Sequence, residues 1–347
     1  GSSLGSRAVA AWGAVGPREP APFAPPSPAA WGAGRMPPRL LAARRLTLLA
    51  AVLGGSAAAE PMKVMVTGAG GQTAGHVFRK MLAQPELFSP VGVARTEDSR
   101  EALLKASGAA PEQVVVSDIT SGQAVAGLAA LLAGCSALVI GTSAKVKPTG
   151  GVNPETGRPN MGFPDGQPYH VDWLGQRHQI DAAKEAGVSH VVICSSMGGT
   201  DPANMLNNFG RSPNGGGGNI LKWKRKAEKY LMDSGLTYTI VHPGGLLNEP
   251  GGQRTLRVGV DDSILGAETR SIPREDVAEV LLQSLLHEDY KNRSFDLASD
   301  PDSGAPVDTD FAQLLAPIAG SSCDYGLGEI PDEAAEEAEV AALRAAL

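Results

Sequence analysis

Residues 63–75, Lys-Val-Met-Val-Thr-Gly-Ala-Gly-Gly-Gln-Thr-Ala-Gly, restrict the possible folds more than any other stretch of the chain. A short apolar strand runs into a glycine-rich turn. Beyond it, Val77, Phe78, Met81 and Leu82 give residues 72–82 the spacing of an amphipathic helix. Gly68 suits the tight turn, and Gly71 lets the backbone approach a pyrophosphate. The third small position falls on Ala74, followed by Gly75, where helix and strand must pack closely. A helix opening straight after such a turn presents free N–H groups and a positive dipole to an anion. Gly68, Ala69, Gly70, Gly71, Gln72 and Thr73 are therefore the candidate phosphate-binding loop, and the strand–turn–helix context is the one a dinucleotide site requires.

The rest of the chain keeps the same rhythm. Apolar runs at 63–67, 90–94, 113–116, 137–141, 190–195 and 237–242 read as strands. Helical spacing occupies 72–82, 100–107, 122–132, 170–186 and 220–234. Alternation of this kind predicts an α/β fold: a doubly wound, Rossmann-type parallel sheet covered on both faces. A further helix at 275–286 and a strand at 294–297 suggest a small C-terminal lobe on the substrate side. Residues 145–169 interrupt the pattern with Pro, Gly and Asn and read as a long functional lid. The sequence thus divides into a leader (1–61), a Rossmann domain (62–325) and an acidic, Ala-rich tail (326–347).

The leader is rich in Ala, Pro, Gly and Arg, with only Glu19 and Glu60 acidic, and cannot bury a core of its own. At its end Arg44-Arg45 precede an apolar run, 46–53, and the small residues 56–59. That run is too short for a stable membrane span and reads as a cleavable targeting segment. A plastid transit peptide, for stroma or thylakoid lumen, is the expectation; translation from Met36 would instead leave a secretory signal. The net charge of -7 argues against a nucleic-acid partner. The three cysteines, Cys135, Cys194 and Cys323, show no spacing of a disulfide framework or metal cluster, so no metal is expected.

Strand ends carry the remaining cofactor-binding candidates. Arg95 closes the second strand, where a guanidinium accommodates a 2′-phosphate, so NADP is favoured over NAD. Asp118 and Ile119 would flank the adenine, and Thr142 and Ser143 would lie beneath the ribose and nicotinamide.

Beyond the glycine turn, several motifs are distinctive. They are Val171-Asp172-Trp173, Ile180-Asp181-Ala182-Ala183-Lys184, Ser195-Ser196-Met197-Gly198-Gly199, residues 224–228, Pro243-Gly244-Gly245-Leu246 and residues 273–279. With them, residues 62–300 resemble the short-chain dehydrogenase/reductase superfamily, and most closely its atypical, NmrA-like branch of NADP-binding proteins. The resemblance implies a substrate-holding serine at Ser195 or Ser196 and an active-site lysine at Lys224. It also places Pro243, Gly244 and Gly245 beside the nicotinamide. The superfamily's catalytic tyrosine would fall on Ile220, which cannot donate a proton. Tyr169, in the long loop, is the candidate substitute, and His242 is either a second acid or a structural residue at a strand end. The glycines 215–218 suggest either a mobile loop that orders over the ligand or a tolerated insertion.

These features imply an NADP(H)-dependent oxidoreductase acting on a small carbonyl or quinone-like molecule. The missing tyrosine supports a different reading, a non-catalytic redox sensor or scaffold whose NADP(H) state is read by a protein partner. Sugar-nucleotide epimerase chemistry is weaker, because it needs the tyrosine and a larger substrate domain.

Overall fold

The computed structural model describes residues 60–345 apart from 153–156, 212–215, 267–269 and 303. The leader expectations, including the targeting segment, lie outside these residues. Chain order begins with β1 (Met62–Thr67), α1 (Gln72–Leu82), β2 (Phe88–Ala94), α2 (Glu97–Ser107), β3 (Val114–Val116), α3 (Ala124–Leu132) and β4 (Ala137–Ile140). A small hairpin follows, β5 (Lys147–Val152) and β6 (Pro159–Gly162), then a π-helical turn (Tyr169–Leu174) that leads into α4 (Gly175–Glu185). Next come β7 (His190–Cys194), α5 (Ile220–Asp233), β8 (Thr237–Pro243), β9 (Gly245–Leu247), β10 (Leu256–Gly259) and β11 (Ser271–Pro273). The chain closes with α6 (Arg274–Gln283), β12 (Arg293–Ser299) and α7 (Glu333–Ala345).

The main sheet has eight strands in the order β10-β12-β8-β7-β4-β1-β2-β3. All neighbours run parallel except β10, which pairs antiparallel with β12. The order reverses between β1 and β4, which makes the crevice above their C-terminal ends the ligand-binding position of the fold. Val64, Val66, Val139, Val192, Val241 and Phe295 face α1, α2 and α6. Met65, Leu138, Ile140, Val191, Ile193 and Ile240 face α3, α4 and α5. Continuous apolar strands are what burial on both faces demands.

The doubly wound α/β reading holds, with three local departures. The segment 145–169 is not a structureless lid, because it contains the antiparallel hairpin β5–β6. The helix read as starting at 170 opens instead with a π turn, a geometry that periodicity does not signal. The short strands β9, β10 and β11 were not legible, since each spans three or four residues. Among the described residues no helix is long and apolar enough to cross a membrane.

Candidate functional site

The glycine turn has the shape its sequence suggests. Gly68 has φ +69°, and a Cβ there would lie 2.7 Å from the Gly141 carbonyl oxygen. Gly141 in turn has no room for a side chain, which would come within 2.5 Å of the Ala74 Cβ. Helix and strand therefore meet at contact distance. The N-terminus of α1 at Gly71 has no side-chain cap, and its first turn holds no acidic residue. A Cβ built on Gly70 would meet nothing within 4 Å. Uncapped N–H groups beside an open approach fit an anionic pyrophosphate, so the turn is compatible with a dinucleotide.

Around the rim, the Arg95 guanidinium donates to the Asp165 carbonyl oxygen at 3.1 Å, which ties the end of β2 to the segment after the hairpin. Asp118 folds back on itself, accepting from the Thr120 N–H and hydroxyl at 2.9 and 2.7 Å. Ile119 is buried, and its carbonyl oxygen lies 2.8 Å from His178 Nδ1. After β4, Thr142 is fixed from below: Gln179 Nε2 donates to its Oγ1 at 3.1 Å and Gln176 Nε2 to its carbonyl oxygen at 3.3 Å. Ser143 Oγ reaches only the neighbouring Ala144 carbonyl oxygen, at 3.4 Å.

Lys224 projects from the second turn of α5 into a buried site. Its ammonium lies 2.8 Å from Asp172 Oδ1, with the two side chains 7% and 0% exposed. The other Asp172 oxygen accepts the Ala144 N–H at 3.0 Å. Burial alone would push the Lys224 pKa down, but the Asp172 charge and hydrogen bond outweigh it and raise the pKa above the ordinary lysine value. A fixed cation is thus tied to the backbone that follows β4. Asp172 owes its place to the π turn. Its motif was visible in the sequence, but its partner was not.

The two serines diverge. Ser195 points under α5, where its hydroxyl donates to Glu228 Oε1. Glu228 Oε2 also accepts from His242 Nε2 at 3.1 Å and from the Tyr325 hydroxyl at 2.9 Å. His242 Nδ1 in turn faces Asp296 Oδ1 at 3.4 Å and Cys323 Sγ at 3.5 Å. Ser196 lies beside this cluster, donating to the Met197 carbonyl oxygen at 3.0 Å, and lines a small cavity against it. Strand alternation puts Ser195 beyond Ile193 and His242 beyond Ile240 on one face, so the apolar face ends in a polar, buried patch. Burial disfavours charge on His242, yet Glu228 and Asp296 raise its pKa well above 6.5.

Tyr169 does not reach Lys224 or either serine through any hydrogen bond. Its hydroxyl donates to Glu336 of α7 at 3.2 Å, and its ring packs edge-on against Trp223. Burial and then the Glu336 charge push its pKa up to about 12, which suits a packed phenol better than an acid. Pro243, Gly244 and Gly245 have a packing role of their own. The Gly244 N–H donates to the Leu297 carbonyl oxygen at 2.9 Å, and a Cβ at Gly244 would overlap the Arg270 carbonyl oxygen. The sequence also held no sign of a metal-ligand cluster, yet the fold gathers His242, Asp296 and Cys323 within ligand distance of one another. Their separation along the chain hid them.

A family model described as NAD(P)H-binding matches residues 68–288. The chain is 43% identical over 269 residues to an uncharacterised chloroplastic protein of Arabidopsis thaliana, covering 76% of this chain and 77% of that one. It is 38% identical over 280 residues to sanguinarine reductase of Eschscholzia californica, covering 75% of this chain and 97% of the reductase. Among solved structures, the oxidoreductase YlbE of Lactococcus lactis is similar with a TM-score of 0.52 at 17% identity, covering 75% of this chain and 98% of that one. That likeness bears on the fold alone. A family model that spans the chain from Gly68 in the glycine turn to residue 288, and 43% identity over three quarters of the chain to a relative, together mean that the chain belongs to the NAD(P)H-binding, Rossmann-type family of atypical short-chain dehydrogenase/reductases.

Proposed function

We propose that the protein is an NADP(H)-dependent reductase of a small quinone-like or carbonyl acceptor. The observation that carries this reading is Lys224, held charged by Asp172 and tied through Ala144 to the strand end beside Thr142. The glycine turn and the N-terminus of α1 would hold the pyrophosphate, Arg95 the 2′-phosphate, and Thr142 and Ser143 the nicotinamide half. When bound, the dinucleotide supplies the hydride. Lys224 stabilises negative charge that develops on the acceptor oxygen, and its fixed position means little reorganisation is needed at that moment. Ser196, just past the end of the neighbouring strand β7, is the candidate hydroxyl for holding the acceptor.

The acceptor class follows from the residue at 220. Ile220 is buried against Ala144, Phe163 and Leu221, so its position offers no proton. A simple carbonyl becomes a strongly basic alkoxide and needs an acid in the transition state. A quinone becomes a stabilised phenolate that water can protonate afterwards. An isoleucine at position 220 in place of a proton donor therefore favours quinone-like acceptors. The sanguinarine reductase relative supports reduction as the reaction class, and the chloroplastic relative, together with the Arg-rich leader, supports a plastid location.

The test is binding of NADPH and NADH by calorimetry, followed by NADPH oxidation against a panel of quinones and aldehydes, for the wild type and Arg95→Ala. Selective NADPH binding that weakens in the variant, with turnover of quinones, is expected. Equal affinity for both cofactors, unchanged in Arg95→Ala, would overturn the NADP assignment. The apolar packing of Ile220 also favours a second reading, a binding protein that reports the NADP(H) redox state to a partner. Unequal affinity for the oxidised and reduced forms, with no turnover on the panel, would select it.

A further inference from the structure

Under α5, three side chains that the reductase reading leaves unused converge from three separate parts of the chain. His242 is the penultimate residue of β8, Asp296 lies in β12, and Cys323 belongs to the segment between β12 and α7. All three are buried, and one ligand atom of each lies within 4.8 Å of the others. We infer that His242 Nδ1, Asp296 Oδ1 and Cys323 Sγ form a binding site for a zinc ion.

The distances carry the argument. Zinc bonds of about 2.0–2.3 Å to nitrogen, oxygen and sulfur in a tetrahedron give ligand–ligand edges of about 3.3–3.6 Å. Here the nitrogen–oxygen edge is 3.4 Å, the sulfur–nitrogen edge 3.5 Å and the sulfur–oxygen edge 3.8 Å. The triangle matches one face of such a tetrahedron with a few tenths of an ångström to close. An imidazole, a carboxylate and a thiol are a mixed donor set that suits zinc better than the hard, oxygen-seeking calcium or magnesium.

The surroundings provide a second, independent reason. Metal-bound histidines commonly hand their other ring N–H to a carboxylate, which fixes the tautomer and the ring plane. His242 Nε2 does this with Glu228 Oε2 at 3.1 Å, leaving Nδ1 aimed at Asp296 and Cys323. The Asp296 carboxylate is itself oriented, because its Oδ2 accepts the Asp262 N–H at 2.7 Å. Glu228 is in turn braced by Ser195 and Tyr325. The small cavity lined by Ser196, Thr200 and Asp262 borders all three ligands and offers the fourth position to water. Zinc entry is an exchange: Nδ1 and Sγ lose their protons to solvent as the two metal bonds form, while the Nε2 proton stays on the ring and is donated to Glu228. A filled site would clamp the segment at Cys323 onto β8 and β12.

The test uses the full chain, treated with chelator and titrated with Co2+, whose tetrahedral thiolate complexes absorb in the near ultraviolet. The expected result is one Co2+ per chain with a thiolate charge-transfer band that Zn2+ abolishes by displacement. Cys323→Ser should lose the band, and Glu228→Gln should keep it while weakening binding by about 10–100-fold. A wild type without the band, or a band that survives in Cys323→Ser, overturns the assignment. Should Cys323→Ser fail to fold, Cys135→Ser and Cys194→Ser decide the matter. The band must persist in both, and its loss in either places the metal elsewhere.

Discussion

Asp172 and Lys224 stand 2.8 Å apart in a position that water hardly reaches, and Asp172 serves both the cation and the Ala144 N–H. One carboxylate therefore joins the helix that carries the lysine to the strand end that would carry the nicotinamide. Such a pair contributes little net stability by existing, but breaking it is costly. Asp172→Asn keeps the shape and an acceptor for Ala144 while leaving Lys224 without a counter-charge. It should destabilise the fold by about 3–5 kcal/mol in urea titrations. The double variant Asp172→Asn/Lys224→Met should be more stable than Asp172→Asn alone, because no uncompensated charge remains buried. An equal or larger loss would mean that packing, not charge, dominates here.

The glycine turn separates folding from binding. Gly68→Ala meets both a positive φ and a backbone carbonyl 2.7 Å away, so a lower melting temperature or loss of soluble protein is expected. Gly70→Asp has open space and should change stability by no more than about 0.5 kcal/mol. Its carboxylate would stand at the helix terminus proposed to hold the phosphates, and NADPH affinity by calorimetry should fall more than about tenfold.

The Glu228–His242 pair predicts a stability profile with two shoulders in chelator-treated protein. Burial opposes the Glu228 charge, but His242 and the donors Ser195 and Tyr325 hold its pKa down to about 2, below the ordinary 4.5. That contribution is present above pH 4.5 and fades as pH falls towards 2. His242 is shifted the other way, so its contribution is complete below pH 6.5 and is lost as pH rises through the raised value. Both shifts express one ion pair, and urea midpoints should be highest between pH 4.5 and 6.5. In His242→Gln the alkaline decline should flatten. An unchanged slope would remove this pair from the account.

Glu336 anchors α7. The Tyr169 hydroxyl, the Trp173 indole N–H and the Lys226 ammonium converge on it at 3.2, 2.9 and 2.7 Å. Glu336→Ala leaves these partly buried donors without their acceptor and should cost about 1–3 kcal/mol. Faster hydrogen exchange and early proteolysis confined to residues 333–345 are the accompanying signs. Uniform destabilisation across the sheet would contradict a local anchor.

Elements with a strong period were legible. Helix α1 matches the predicted 72–82, and strands β1, β2, β4, β7 and β8 fall within about two residues of the expected runs, because burial on both faces demands long apolar stretches. The hairpin β5–β6 was hidden, since its residues are largely exposed and carry no alternating pattern. Lys224 was named from its motif, but the site around it was only half visible. Tyr169 looked free to enter the cleft until α7 supplied Glu336 as its partner.

By itself, the sequence determined the Rossmann-type class and the glycine turn, because both depend on residues near one another in the chain and on backbone sterics. Tertiary structure alone decided where side chains point: Ser195 towards Glu228, Lys224 towards Asp172, and His242 towards Asp296 and Cys323. Each of these partners lies tens of residues away. They meet only through parallel strand register and the face on which α5 lands, which no local pattern encodes.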